Sequence, residues 1–370
     1  MRQLFVAIFL CLCFALTIAA SDSTGKGKTE NASADTALAP SGYASRAGAL
    51  LDTYRPPRSD HSPAHRVRAA NRFLRSLNDG QRQSAHYSLT SAERTQWTNA
   101  PARGEVGGLA LGDLNEAQLR AFSDLLAAVL SETGYHKIRD MMLGDDLRAH
   151  IDGKINVGVG IEACRVSIFG EPSVTSRWAV QLDGHHIALN LTLEGAAYSM
   201  SPSFIGTFPQ AFSVAGMERR PLAGATDLAH ELVHSLTPAQ RTLAVISEQR
   251  GALRVGAGQD GVVPEPVGIR GKSLNEVQKN KLLALASQWF ELMPRSHARA
   301  QRERFFEALD ETWFAWSGPF VAGSDMSYAI QGPSIIIEYA NDARGGSRGG
   351  NPVDHVHTIY RDLDREYGGE

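Results

Sequence analysis

One pattern occurs twice in this chain, and it limits the folds open to it. Ser76-Leu77-x-x-x-Gln81-Arg82-x-x-Ala85 recurs as Ser235-Leu236-x-x-x-Gln240-Arg241-x-x-Ala244, 159 positions on. Leu114-Asn115-Glu116-x-Gln118 recurs as Leu274-Asn275-Glu276-x-Gln278 at an offset of 160, where Glu105 and Gly108 also fall on Glu265 and Gly268. Trp178-Ala179-Val180-Gln181 recurs as Tyr328-Ala329-Ile330-Gln331 at an offset of 150. The markers keep their order and nearly keep their spacing, which coincidence between short helical motifs does not do. A copied unit of roughly 150–160 residues is far longer than a solenoid repeat.

Each copy reads as helices followed by strands. Val67, Ala70, Phe73, Leu74 and Leu77 share one helical face. Asn78-Asp79-Gly80 ends that helix, and a second runs on from Gln81. Asn115 is placed to cap a long helix, and another is expected over 137–150. Strands are then expected over 155–161, 164–169 and 197–201, with a hairpin between the last two. The expected fold class is α+β: an internally duplicated unit of helices followed by an antiparallel β-meander, with pseudo-two-fold symmetry. The first repeat is placed at 58–216 and the second at 217–370, forming one compact body.

The hairpin expected over 177–195 carries two adjacent histidines. Trp178, Val180 and Leu182 alternate with other residues, as do Ile187, Leu189, Leu191 and Leu193. Asp183-Gly184 is a two-residue turn signal, since both positions of a type I′ turn need φ > 0. It would pair Leu182 with His185, Val180 with Ile187 and Trp178 with Leu189. His185 and His186 would then point to opposite faces, and only a bulge would aim both at one point.

Composition adds an expected address. Residues 1–20 have a positive start, an apolar core and small residues at the end, which reads as a secretory signal peptide cleaved near Ala19 or Ala20. The run is short of the roughly 20 apolar residues a membrane span needs. Residues 21–57 lack periodicity and are expected to be a disordered linker. The chain is expected to be exported, periplasmic or extracellular. Cys11 and Cys13 leave with the signal, so Cys164 remains alone and no intrachain disulfide is open to it. Hydrophobic content of 43% and a net charge of −3 suit a soluble protein, with no nucleic-acid partner and no membrane partner once the signal is gone.

Chemistry is expected near the C-terminus. His355 and His357 are two apart, so one strand presents both on one face, and neutral imidazoles there suit a transition metal. A third ligand is expected from Glu338, or from His185 or His186 of the other copy. The bland alternative leaves these histidines bonded to backbone groups or to Asp362. Glu338 and Glu171 are candidates for a general acid/base pair, although Glu171 also fits an ordinary turn carboxylate. Arg94 and Trp97 lie in a Gly/Pro loop and are candidates for substrate binding, as is Arg361; the first two can equally pin that loop to the body. His230-Glu231-Leu232-Val233-His234 fits HExxH, the zinc-protease pattern. The repeat lays it over 71–75, an amphipathic helix with no ligands, and no segment identifies a third ligand.

Several of these stretches resemble one family. RTQWTNAP at 94–101, FGEPS at 169–173, WAVQLDGHHIALN at 178–190, SPSFIG at 201–206, FAWSGP at 314–319, IQGPSIIIEY at 330–339 and HVHTIYRD at 355–362 are similar to a large family known as a domain of unknown function, number 3500. The resemblance covers about 94–362. It implies no particular activity. It does imply that Asp183, Gly184, His185, His186, Gln331, Gly332, Pro333, Glu338, His355, His357, Arg361 and Asp362 are signature positions, and that HExxH is not. Asp354 departs from it, standing where relatives carry Asn.

The leading expectation is an exported metal-dependent hydrolase with a His-rich site between the repeats. Zinc, iron or copper is the expected cofactor and no nucleotide is; the substrate, a small molecule or a polymer, is not specified. A metal-dependent oxidoreductase, a non-catalytic envelope or ligand-binding protein, and an HExxH zinc protease are the alternatives.

Overall fold

The recurring Asn and Gln residues are helix caps. The structure, a computed structural model, describes residues 37–38, 45–99, 107–153, 158–321, 323–341 and 354–369. Its first elements are β1 (Ala37–Leu38), α1 (Arg46–Thr53), α2 (Pro63–Ser76), α3 (Asp79–Ala85), β2 (His86–Tyr87), β3 (Leu109–Ala110), α4 (Glu116–Val129) and α5 (Glu132–Ile151). Strands β4 (Arg165–Phe169), β5 (Trp178–Gly184), β6 (Ile187–Glu194), β7 (Ala197–Thr207), β8 (Phe212–Val214) and β9 (Met217–Arg219) follow. Then come α6 (Ala223–Ser235), α7 (Pro238–Ala244), β10 (Val245–Ser247), β11 (Ile269–Arg270), α8 (Glu276–Phe290) and α9 (Arg295–Glu307). The chain closes with β12 (Trp313–Ser317), β13 (Ser327–Gln331), β14 (Ile335–Asn341) and β15 (Val356–Asp362).

Capping boxes start α3, α4, α7 and α8. In each, Asn78, Asn115, Thr237 or Asn275 accepts from the backbone N–H three residues on, and the Gln there accepts from the cap's own N–H. The same glutamines tie helix to helix. Gln118 Nε2 donates to Ser76 O and Gln81 Oε1, both at 2.8 Å. Gln278 Nε2 donates to Ser235 O and Gln240 Oε1, again both at 2.8 Å.

The strands form a 12-stranded sheet in the order β10-β12-β13-β14-β15-β7-β6-β5-β4-β2, with β11 also on β12 and β3 also on β4. Read from either edge, a parallel pair comes first, then an antiparallel meander, and the two meanders meet where β15 runs antiparallel to β7. The helices and one sheet face share the main core, where Trp178, Val180, Leu189, Ile330, Ile337 and Tyr360 are buried with Phe122, Leu232 and Phe290. The other face is covered by irregular chain. There Trp97 and Val255 pack with Ala188, Phe204, Ile336 and Ile359. The protein is an α+β protein. Residues 36–370 make one contact unit. Among the described residues, no helix is long and apolar enough to cross a membrane.

Several expectations need correction. The hairpin does not turn at Asp183-Gly184: Trp178 pairs with Leu193, Leu182 with Leu189 and Gly184 with Ile187, so the turn falls on His185-His186. The register differs by four, an even number, which is why the apolar face survives. The final strand of that meander runs on to Thr207 rather than ending at Ser201. Of the strand expected over 155–161, residues 155–157 lie outside the described residues, and Ile161 starts a 3-10 turn. Within the stretch expected as a linker, Ser45 caps α1, whose Ala47 and Leu51 are buried. The expected signal peptide, 1–20, lies outside the described residues.

Candidate metal centre

Gly184 decides where the hairpin can turn. A Cβ there would stand 2.8 Å from Cys164 Sγ, so only glycine lets β5 lie this close to the start of β4. The strand therefore carries on through Asp183-Gly184, and the two histidines form the turn. Turn residues do not alternate as strand residues do, so one point can receive both imidazoles. That point is Asp145 on α5, whose Oδ1 lies 2.9 Å from His185 Nδ1 and from His186 Nδ1. Its Oδ2 accepts from Gly160 N at 3.1 Å. Burial works to raise the Asp145 pKa, but the imidazoles of His186 and His185 more than offset it and hold the carboxyl well below its usual range.

An ionised Asp145 accepts the Nδ1 proton of His186 and so assigns its tautomer. The lone pair then sits on Nε2. This Nε2 lies 2.8 Å from His355 Nε2. The His355 ring is 4.5 Å from His357, and His357 is 5.3 Å from His186, centroid to centroid. His186, His355 and His357 can each direct a ring nitrogen into one group within 4.8 Å, and so can Asp145, His185 and His186 with their own ligand atoms. His185 is in the second group only.

Strand geometry brings the three rings together. Gly206 on β7 pairs with His357 on β15 and lies between that strand and the turn. Its N–H donates to His186 O at 2.7 Å. A Cβ on Gly206 would stand 2.6 Å from Val356 O, 2.9 Å from His186 Cδ2 and 3.1 Å from His357 Cδ2. The absent side chain is thus the slot through which His186 reaches its partners. Phe208 stacks on His355, with centroids 4.8 Å apart, and the Arg148 guanidinium covers Phe208. His186 and His355 are buried. His357 is partly exposed and lines a cleft of about 480 Å³ together with Asn99, Arg250, Arg254, Gln259 and Asn341. The arrangement offers imidazole nitrogens with a carboxylate beside them, a composition that can hold a transition metal.

The other expected site residues lie elsewhere or serve other contacts. Glu338 is buried and accepts from Arg254 N at 2.6 Å, Arg254 Nε at 2.7 Å and Val255 N at 3.3 Å, so it anchors the loop that walls the cleft. Glu171 is exposed, 3.7 Å from His86 Nε2. It follows Phe169, which pairs with Ala179, whereas Arg165 pairs with Asp183. Glu171 therefore sits at the opposite strand end from the histidine turn and does not meet Glu338. Arg94 Nη2 donates to Thr192 Oγ1 at 3.1 Å, and Trp97 Nε1 donates to Tyr367 Oη at 3.0 Å. Both pin their loop and the C-terminal segment to the sheet. Arg361 is buried, pairs with Glu366 and donates to Val262 O at 2.6 Å. His230, Glu231 and His234 do lie on a helix, α6, with the two rings 6.2 Å apart. However, Glu231 pairs with Lys281 at 2.7 Å, and His234 Nε2 faces Phe320 O at 2.9 Å. Neither ligand group found among the described residues includes them.

The sequence alone does not mark Asp145 or Gly206 as site residues. Asp145 falls inside a helix where nothing marks an inward carboxylate. Gly206 lies beyond the strand expected over 197–201, so the close approach that a lone glycine inside a strand implies is legible only once β7 is seen to reach Thr207.

A family model described as "Protein of unknown function (DUF3500)" matches residues 60–369. No curated protein and no solved structure matches the chain.

Proposed function

The chain belongs to this DUF3500 family, and from that premise we propose that its histidine cluster is the metal centre of an exported hydrolase. His186, His355 and His357 are the ligands, through ring nitrogens. Asp145 fixes His186 from behind, as carboxylates fix metal-ligating histidines generally. Asp145 also holds His185, whose ring centroid is 4.0 Å from His186. That makes His185 the proton-transfer group beside the ligands rather than one of them. A bound divalent ion would supply Lewis-acid polarisation and a nucleophilic water at neutral pH.

One observation carries this reading. Three imidazoles from two remote parts of the chain converge, and one of them, His357, borders a cleft large enough for a small substrate. The test is metal analysis of purified protein, beside a His355→Ala/His357→Ala double variant whose folding is checked by near-UV circular dichroism. Stoichiometric zinc that disappears in the folded variant is the expected result. Iron or copper at that level would turn the reading toward oxidation chemistry. No metal after metal-replete refolding would overturn it and leave a ligand-binding protein.

Duplication is part of the same proposal. The repeats 58–216 and 217–370 are supported by the matched Gln118 and Gln278 hydrogen bonds and by a strand order that reads alike from both edges. On that view β7 and β15 are equivalent strands, and the ligands gather at their seam.

A further inference from the structure

The walls of the cleft beside His357 carry a recognition element of their own. Arg250 and Arg254 both line it, with the amides of Asn99, Gln259 and Asn341, and among the described residues no carboxylate lines it. Arg254 is held at Nε by an acid outside the lining, while Arg250 only pairs in charge with one, without a hydrogen bond at its Nε among the described residues. Arg254 Nε donates to Glu338 Oε1 at 2.7 Å, and Arg250 Nε lies 2.9 Å from Asp325 Oδ1. Glu338 also grips the Arg254 backbone N–H at 2.6 Å, so the residue is fixed at two points. This leaves the Arg254 Nη1 and Nη2 groups with no hydrogen bond among the described residues, on a side chain 37% exposed.

A guanidinium anchored through Nε presents its two terminal nitrogens as a planar fork, and that fork matches the paired oxygens of a carboxylate or phosphate. We infer that the cleft binds a substrate carrying a small oxyanion group, seated on Arg254 with Arg250 beside it, which directs the rest of the molecule toward His357. The inference rests on the metal-hydrolase reading for what happens at His357, but not for the binding itself. It also explains why Glu338 is buried: the carboxylate orients the fork and is a positioning residue.

The test uses the full mature chain, zinc-loaded and chelator-treated, titrated by calorimetry with inorganic phosphate and separately with succinate. At least one probe is expected to bind. Arg254→Met should weaken it by about tenfold or more, the value of a charge-assisted pair. Arg254→Lys should recover only part, because it restores charge but not the fork, and Arg250→Met should weaken binding by a smaller factor. Preference for phosphate or succinate identifies the oxyanion. Circular dichroism on each variant guards against loss of fold, and Arg250→Met stays informative if Arg254→Met fails to fold. Wild-type binding of neither probe overturns the inference. So does binding that needs zinc and survives Arg254→Met unchanged, since the anion is then on the metal. Arg254-dependent binding in a protein that takes up no metal would keep this inference and sink the metal reading.

Discussion

His186 Nε2 and His355 Nε2 lie 2.8 Å apart although 169 positions separate them in the chain. The gap at Gly206 permits this contact, since any Cβ there meets Val356 O at 2.6 Å and presses on two of the rings. A backbone oxygen cannot step aside as a flexible side chain can. Gly206→Ala should therefore cost about 1–3 kcal/mol of stability, the usual cost of overpacking. It should also weaken zinc binding, because the rings must part. Urea denaturation and a competitive zinc titration read the two effects. Unchanged zinc affinity would show that the slot does not set the ring positions.

Asp145 accepts from His185 and His186 through a single oxygen. Asp145→Asn keeps the shape but brings an NH2 group into a pocket built for an acceptor, which disfavours the tautomer with its lone pair on Nε2. Zinc affinity is expected to fall about 10–100-fold, as on loss of other carboxylate partners of metal-ligating histidines. If the affinity holds, Asp145 is structural only.

What the sequence makes legible depends on whether the signal is local. The cap at Asn115 is legible because it stands directly before the helical run it starts, whereas its reciprocal bond with Gln118 and the matching box at Asn275 appear only in the structure. The apolar face of β5 and β6 was visible because alternation survives an even slip of register. The turn itself is not legible, because Asp183-Gly184 carries strong turn chemistry and the contact that overrides it, Gly184 against Cys164, is remote. His355 and His357 were visible as a strand pair, and His186 as a candidate third. Asp145 was not, because a carboxylate inside a helix declares its direction only once the helix packs. For Arg94 and Trp97 the sequence leaves substrate contact and loop pinning equally open, and it leaves the contacts of Arg361 unstated, for a similar reason. Their partners Thr192, Tyr367 and Glu366 are found only by folding the chain.

The glutamines Gln118 and Gln278 permit a test of equivalence between the two halves. Each makes the same two 2.8 Å bonds and closes the same capping box. Gln118→Ala and Gln278→Ala should each cost about 1–2 kcal/mol, the combined value of lost side-chain bonds. The double variant should cost their sum within about 0.5 kcal/mol, because the sites share no partner. Chemical denaturation of the three variants measures this. A large loss at one site and none at the other would break the equivalence, whatever the sequence offsets.

Asp183 gives the chain a pH dependence separate from the ring cluster. It is buried, and among the described residues its Oδ1 has no hydrogen-bond partner. Burial pushes its carboxyl up to about 7, against the smaller opposing pull of the Thr98 and Gly184 backbone N–H groups and Arg165. In the unfolded chain the same carboxyl titrates near about 4. The native state therefore binds the extra proton between those values. Its contribution to stability is complete below about pH 4, shrinks as pH rises, and is gone once pH passes 7. Asp183→Asn imitates the protonated form at every pH. Measured by urea denaturation of chelator-treated protein, the variant should gain on the wild type by on the order of 1–3 kcal/mol between pH 5 and pH 8. Chelation keeps ligand protonation common to both proteins. A stability difference that stays flat across that range would mean Asp183 is ionised in the folded protein throughout.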